Sequence, residues 1–248
     1  MARRILIYPD ASRLFAAAAR LVERAARDAI GRRGRFRLAL TGGSTPRDLY
    51  ARLAVEPCRS RIDWSRVEFF WGDDRCVPPD HPESNFRLAD ELLLSRLAPA
   101  DSSVHRIQTE LGAQRAAEAY AAELSRIFAD DTPRFDLILL GMGPDGHTAS
   151  LFPDTPDLTG EGRSVIATLA PRPPRDRVSL SLQAINAARR VAFLVQGAGK
   201  AEALARVLAD RPRADERALP AALVRPAGGR LYWLVDRAAA SRLAKGIS

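Results

Sequence analysis

The segment Phe36-Arg-Leu-Ala-Leu-Thr-Gly-Gly-Ser-Thr-Pro46 runs from an apolar stretch straight into a turn. Residues 36–40 are too few for a buried helix and have the length of a strand. Two glycines then permit a tight turn, Thr45 has an N-cap side chain, and Pro46 suits a first helical position, where its missing N–H costs nothing. The segment therefore predicts a strand that delivers its chain directly into a helix. Working outward, the same kind of apolar run recurs at 5–8, 67–71, 135–140, 178–182, 191–195 and 231–235. Between the first two, Leu14, Ala18, Leu21, Val22, Ala25, Ala29 and Ile30 recur at spacings of three and four, with Asp10 or Ser12 to cap and Gly31 to terminate. Residues 88–97, 116–128, 200–208 and 236–243 repeat that helical spacing. Strands buried on both faces and separated by helices predict an α/β fold with a mainly parallel, doubly wound, Rossmann-like sheet and helices on both faces, because parallel neighbours need crossover connections. One domain spanning residues 1–248 is the expectation from length.

Composition narrows the function. With 46% hydrophobic and 27% charged residues the chain can bury a sizeable core. Its net charge of +8 invites either a nucleic acid or an anionic substrate. The cations are almost all arginine, Lys200 and Lys245 being the only lysines, and they are scattered along the chain rather than gathered in a basic tail. Aromatic residues amount to only 6%. Both features argue against nucleic acid and for a small anionic partner. Cys58 and Cys76 stand 18 residues apart with no C-x-x-C motif, which predicts neither a disulfide framework nor a zinc site and fits a reducing cytosol. No run approaches the ~20 apolar residues of a membrane span, so no membrane association is expected.

In a sheet of this kind ligands gather beyond the carboxyl ends of the strands, so the loops after residues 40, 71, 140 and 195 are where chemistry is sought. Gly42, Gly43, Ser44 and Thr45 form either an ordinary strand-to-helix turn or a phosphate cradle with free backbone N–H groups. Asp73, Asp74 and Arg75 read as a solvated turn or as an acid/base group beside an anion clamp. Ser84 reads as a helix cap. Gly141, Gly143 and Gly146 satisfy G-x-G-x-x-G, yet Pro153 and Pro156 would stop the following helix too early for a dinucleotide site. His147, two residues after Asp145, can exchange a proton near neutrality with the carboxylate to orient it, or serve as a polar surface residue. The histidines at 81, 105 and 147 lack metal-ligand spacing. Lys200 opens a helical stretch against the helix dipole, which suggests a phosphate contact, though the Walker pattern is absent.

Taken together, three blocks resemble the 6-phosphogluconolactonase family: Leu40-Thr-Gly-Gly-Ser-Thr-Pro46, Trp71-Gly-Asp-Asp-Arg-Cys-Val-Pro78 with His81-Pro-Glu-Ser-Asn85, and Gly141-Met-Gly-Pro-Asp-Gly-His-Thr-Ala-Ser-Leu-Phe-Pro153. The likeness extends through Arg177 and Lys200. It implies a fold like that of glucosamine-6-phosphate deaminases and ribose-5-phosphate isomerase, no required cofactor, and hydrolysis of 6-phospho-D-glucono-1,5-lactone to 6-phosphogluconate. It further implies His147 as the proton-transferring residue with Asp145 beside it, and Asp73 as an acidic catalytic position. The substrate-binding set it implies is Gly42, Gly43, Ser44 and Thr45 for phosphate, with Arg75, Arg177 and Lys200 as cations near the substrate. Asp74 and Arg172 depart from the family's usual Glu and Lys. The related deaminases carry a glutamate soon after the histidine, where this chain has Ser150, Leu151 and Phe152. Deamination of an amino sugar phosphate and non-catalytic sugar-phosphate binding are the alternatives.

Overall fold

The computed structural model describes residues 2–129, 132–153, 155–209 and 219–244. Among these residues ten strands form: β1 (Ala2–Tyr8), β2 (Phe36–Leu40), β3 (Val67–Trp71), β4 (Asp73–Arg75), β5 (Val104–His105), β6 (Leu137–Leu140), β7 (Val165–Leu169), β8 (Asp176–Leu180), β9 (Arg190–Val195) and β10 (Arg230–Asp236). Seven make one sheet in the order β1-β10-β9-β6-β2-β3-β5, and every pairing in it is parallel. The register sets Phe36 opposite Val67 and Leu40 opposite Trp71, with Leu140 opposite Phe193. All four residues of β6 are buried, as are Leu38, Ala39 and Leu40 of β2, so both faces of the sheet's centre are covered. Phe193 and Trp233 stack across β9 and β10 with centroids 3.9 Å apart. Each fully buried aromatic of this kind contributes roughly 1.5–3 kcal/mol by leaving water.

The helices are α1 (Ala11–Arg33), α2 (Arg47–Leu53), α3 (Asn85–Ala89), which runs through a π-turn at Asp90–Leu94 into α4 (Ser95–Leu97), then α5 (Ala113–Phe128), α6 (Leu182–Asn186) and α7 (Ala201–Leu208). Asp10 caps α1, its carboxylate accepting from the Arg13 N–H. The buried stripe of α1 includes the predicted Leu14, Ala18, Leu21, Val22, Ala25 and Ala29.

The structure departs from the expectations at several points. Helix α1 passes through Gly31 and ends at Gly34, whose φ of 75° provides the left-handed turn that Gly31 does not adopt. Helix α2 begins at Arg47, and no side chain caps it: Pro46 occupies the cap position and Thr45 lies in the turn before it. The 178–182 run belongs to a separate antiparallel sheet, β4-β8-β7, and its last two residues leave the strand, Ser181 capping α6. The connection from β7 to β8 is a short proline-rich turn closed by the Ala170 N–H to the Arg175 carbonyl at 2.7 Å. A tight turn can only return the chain antiparallel. At 236–243 the strand β10 takes Asp236 and only a single 3-10 turn, Ala239–Arg242, follows. The short β4, β5 and β7 have no counterpart among the predicted runs.

The two sheets meet at Gly72. Its N–H donates to the Leu40 carbonyl of the large sheet, and its carbonyl accepts from Leu180 of the small one, both at 2.8 Å. The chain thus crosses from β3 to β4 at the carboxyl end of the parallel sheet.

Candidate active site

Beyond this junction the loops that follow β2, β6 and β9 converge with β4 on a cleft of about 160 Å³. Gly42, Gly43, Ser44 and Thr45 form one wall; Asp73, Arg75, His147 and Lys200 line it as well. The sequence places these residues more than 150 positions apart at the extremes, and the strand ends bring them together. Two predicted residues do not line the cleft. Asp145 stands behind His147, and Arg177 is buried opposite Arg75 in the β4–β8 register. Lysine 245 lies outside the described residues.

His147 is held from several sides. Its Nδ1 lies 2.5 Å from Asp145 Oδ1, its backbone N–H donates to the same oxygen at 3.1 Å, and its carbonyl accepts from the Gly143 N–H at 2.9 Å. Phe152 packs against the ring with centroids 4.7 Å apart. No helix follows the G-x-G-x-x-G glycines; the segment closes in a two-residue bridge between Thr148 and Leu151. A side chain at Gly143 would overlap both the His147 ring and the Asp145 carboxylate. With Nδ1 committed to Asp145, Nε2 is the ring nitrogen left to act. Burial works to raise the Asp145 pKa, but the hydrogen bond to His147, its charge and its backbone N–H together hold the carboxyl below the ordinary carboxylate value.

Behind the opposite wall, Asp73 Oδ2 accepts from Ser150 Oγ at 2.7 Å. The Asp73 carbonyl accepts from Asn85 Nδ2 at 2.9 Å, and the Asn85 amide fills the space that a side chain at Gly42 would need. Asp74 points away from the cleft: one of its oxygens accepts from the Arg75 and Asn85 N–H groups, both at 2.7 Å, and the other from Phe86 N–H at 3.0 Å. Burial pushes its pKa up to about 6, those three N–H bonds opposing the shift. Ser84, as expected, caps α3. Arg75 donates to the Glu83 carbonyl at 2.7 Å, while its Nε is buried without a hydrogen-bond partner. Burial first, then the neighbouring Arg75 charge, lower the Arg177 pKa, with Asp73 acting the other way. Two adjacent guanidinium groups and a half-buried ammonium make this a site suited to an anion. Burial lowers the Lys200 pKa, partly offset by Asp145.

The Lys200 loop is fixed by a residue with no motif around it. Asp236 accepts from the Gly197 N–H with both carboxylate oxygens, at 3.1 and 3.0 Å, and from Ala239 N–H at 2.7 Å. Its position at the end of an apolar strand was the only signal available in the sequence.

This geometry can be set beside known proteins. A family model described as glucosamine-6-phosphate isomerases/6-phosphogluconolactonase matches residues 9–233. The chain belongs to that family. It is 44% identical to the 6-phosphogluconolactonase of Homo sapiens over 247 residues, covering 96% of this chain and 93% of the human one. Among solved structures, the 6-phosphogluconolactonase of Trypanosoma brucei aligns with a TM-score of 0.86 at 30% identity, covering 98% of this chain and 99% of that one. A monomeric glucosamine-6-phosphate deaminase aligns with a TM-score of 0.81 at 19% identity, over 96% of this chain and 99% of that one, which shows a shared fold. Among the described residues no helix is long and apolar enough to cross a membrane.

Proposed function

We propose that the protein is a 6-phosphogluconolactonase that hydrolyses 6-phospho-D-glucono-1,5-lactone to 6-phosphogluconate in the cytosol, with no cofactor. The observation that carries this reading is that residues 42–45 and His147 line one cleft, so a single six-carbon molecule can reach both. In the mechanism we infer, the 42–45 backbone and Lys200 hold the phosphate and fix C1 of the lactone near His147. His147 Nε2 takes a proton from water as the water attacks C1, Asp145 stabilising the imidazolium that results. The tetrahedral intermediate collapses as the proton passes to the ring oxygen, and the C1–O bond breaks. Arg75, backed by Arg177, stabilises the oxyanion; Asp73, aligned by Ser150, contacts a sugar hydroxyl or the attacking water.

The test is an assay on freshly generated lactone, corrected for spontaneous opening. His147→Ala should retain the far-UV and near-UV spectra of the parent and lose roughly 10²–10⁴-fold in kcat, the usual share of general acid–base catalysis. Turnover close to that of the parent would overturn the assignment. Incubation with glucosamine 6-phosphate should release no ammonia, since Ser150, Leu151 and Phe152 offer no carboxylate after the histidine.

A further inference from the structure

The opposite end of the central sheet carries a second basic cleft. The amino-terminal ends of β2, β6 and β9, with the last turns of α1 and α5, enclose about 370 Å³ between Arg33, Arg35, Arg37, Arg134, Arg189 and Phe128. Among the described residues its charges do not balance. Arg35 and Arg37 share Glu68, at 3.1 and 2.8 Å. Arg33 and Arg189 share the buried Asp136 carboxylate, at 2.7 and 3.4 Å. Arg134 makes no ion pair or hydrogen bond among the described residues. Among the described residues, five guanidinium groups therefore face two carboxylates.

Hydrogen bonding is incomplete as well, for Arg33 Nε is buried without a hydrogen-bond partner and Arg189 Nε has only the long ion pair to Asp136. Burial, followed by the charges of Arg33 and Arg134, lowers the Arg189 pKa, which is the mark of cations crowded together faster than they are neutralised. Part of the set has structural work. Arg37 donates to the Ile127 carbonyl at 2.8 Å, closing the end of α5, and its guanidinium covers the Phe128 ring at 4.2 Å from the centroid. Around the concavity, that leaves Arg134, which has no ion pair among the described residues, beside Arg33 and Arg189, which share one carboxylate. Guanidinium forks match phosphate oxygens in pairs, and a concave site shields such contacts from screening.

We propose that this cleft is a second anion site that takes a small ligand bearing two or more phosphate groups. A five-residue strand spans about 17 Å, so such a ligand cannot occupy this cleft and the catalytic one together. The concave shape favours a small molecule over a nucleic acid, which would need an extended basic surface.

Inorganic pyrophosphate titrated into the full chain by calorimetry at low ionic strength tests the proposal. The expected result is a binding event that survives Lys200→Ala and that Arg134→Glu weakens about tenfold or more, the worth of one guanidinium–phosphate contact. Arg134 is exposed, so its substitution leaves the fold and the hydrolytic kcat unchanged. Arg96→Glu, outside both clefts, serves as the control for net charge and should leave pyrophosphate affinity within about twofold. Binding that disappears in Lys200→Ala, that is indifferent to Arg134→Glu, or that falls equally in Arg96→Glu would overturn the proposal.

Discussion

His147 and Asp145 show how a proton-transfer pair is tuned by its neighbours. The Asp145 carboxyl titrates lower in the folded protein than in the unfolded chain, so its stabilising contribution is present above the ordinary carboxylate range and is lost only as pH falls through the depressed value. Between pH 5 and 8 it therefore stays ionised. Asp145→Asn removes the carboxylate that orients the ring and stabilises the cation formed during the reaction; kcat should fall on the order of 10²-fold in steady-state kinetics. An unchanged kcat would detach Asp145 from the proton transfer. At this scale the contact of His147 with Asp145 was legible, because residues two apart in a tight glycine-rich loop lie within reach of each other. Asn85 was not: its side chain matters through the space it takes opposite Gly42, and only coordinates reveal that contact.

Among the elements, Asp74 does the most to build the site without touching it. It gathers the N–H groups of Arg75, Asn85 and Phe86 and so ties β4 to the start of α3, fixing both Arg75 and Asn85 at the cleft. Asp74→Asn would turn an NH₂ toward one of these donors and should cost roughly 1–3 kcal/mol, read as a lower urea midpoint at constant m. The pH dependence has a definite sign. The folded pKa, about 6, exceeds the unfolded value, so the folded state binds the proton more tightly and the cost of holding the charge at pH 7 is relieved as pH falls from about 6 toward 4. Stabilities measured at pH 7 and pH 5 should show this gain in the parent and not in Asp74→Asn. Sequence pattern located most strands and helices to within a few residues, since apolar periodicity is local. It placed the end of α1 at the wrong glycine, because Gly31 and Gly34 differ only in which of them adopts positive φ.

Across the whole molecule, Ser150 ties the loop that follows β6 to all three strands of the small sheet. Its hydroxyl donates to Asp73 of β4, its N–H donates to Ser179 of β8 at 3.3 Å, and its carbonyl accepts from Thr168 of β7 at 2.8 Å. All four residues are buried. Ser150→Ala leaves the Asp73 carboxylate short of a donor in a buried setting and should lower stability by roughly 1–3 kcal/mol, with a reduced kcat that Ser150→Thr partly restores. Thermal unfolding and steady-state kinetics on the two variants check this; loss of stability with intact kcat would confine Ser150 to the fold. The excess positive charge also acquires a place at this scale, since part of it is concentrated at the amino-terminal end of the sheet rather than spread evenly.

The sequence alone determined the alternation of strands and helices, the loops at the carboxyl strand ends, and the residue types able to bind an anion and move a proton, because each of these depends on neighbours within a few positions. The second sheet, the orientation of Asp74 away from the cleft, the support of the Lys200 loop by Asp236 and the crowding of five arginines were decided by the tertiary structure. They depend on contacts between strands far apart in the chain, and strand order and register are set by the packing of the whole core rather than by any local pattern.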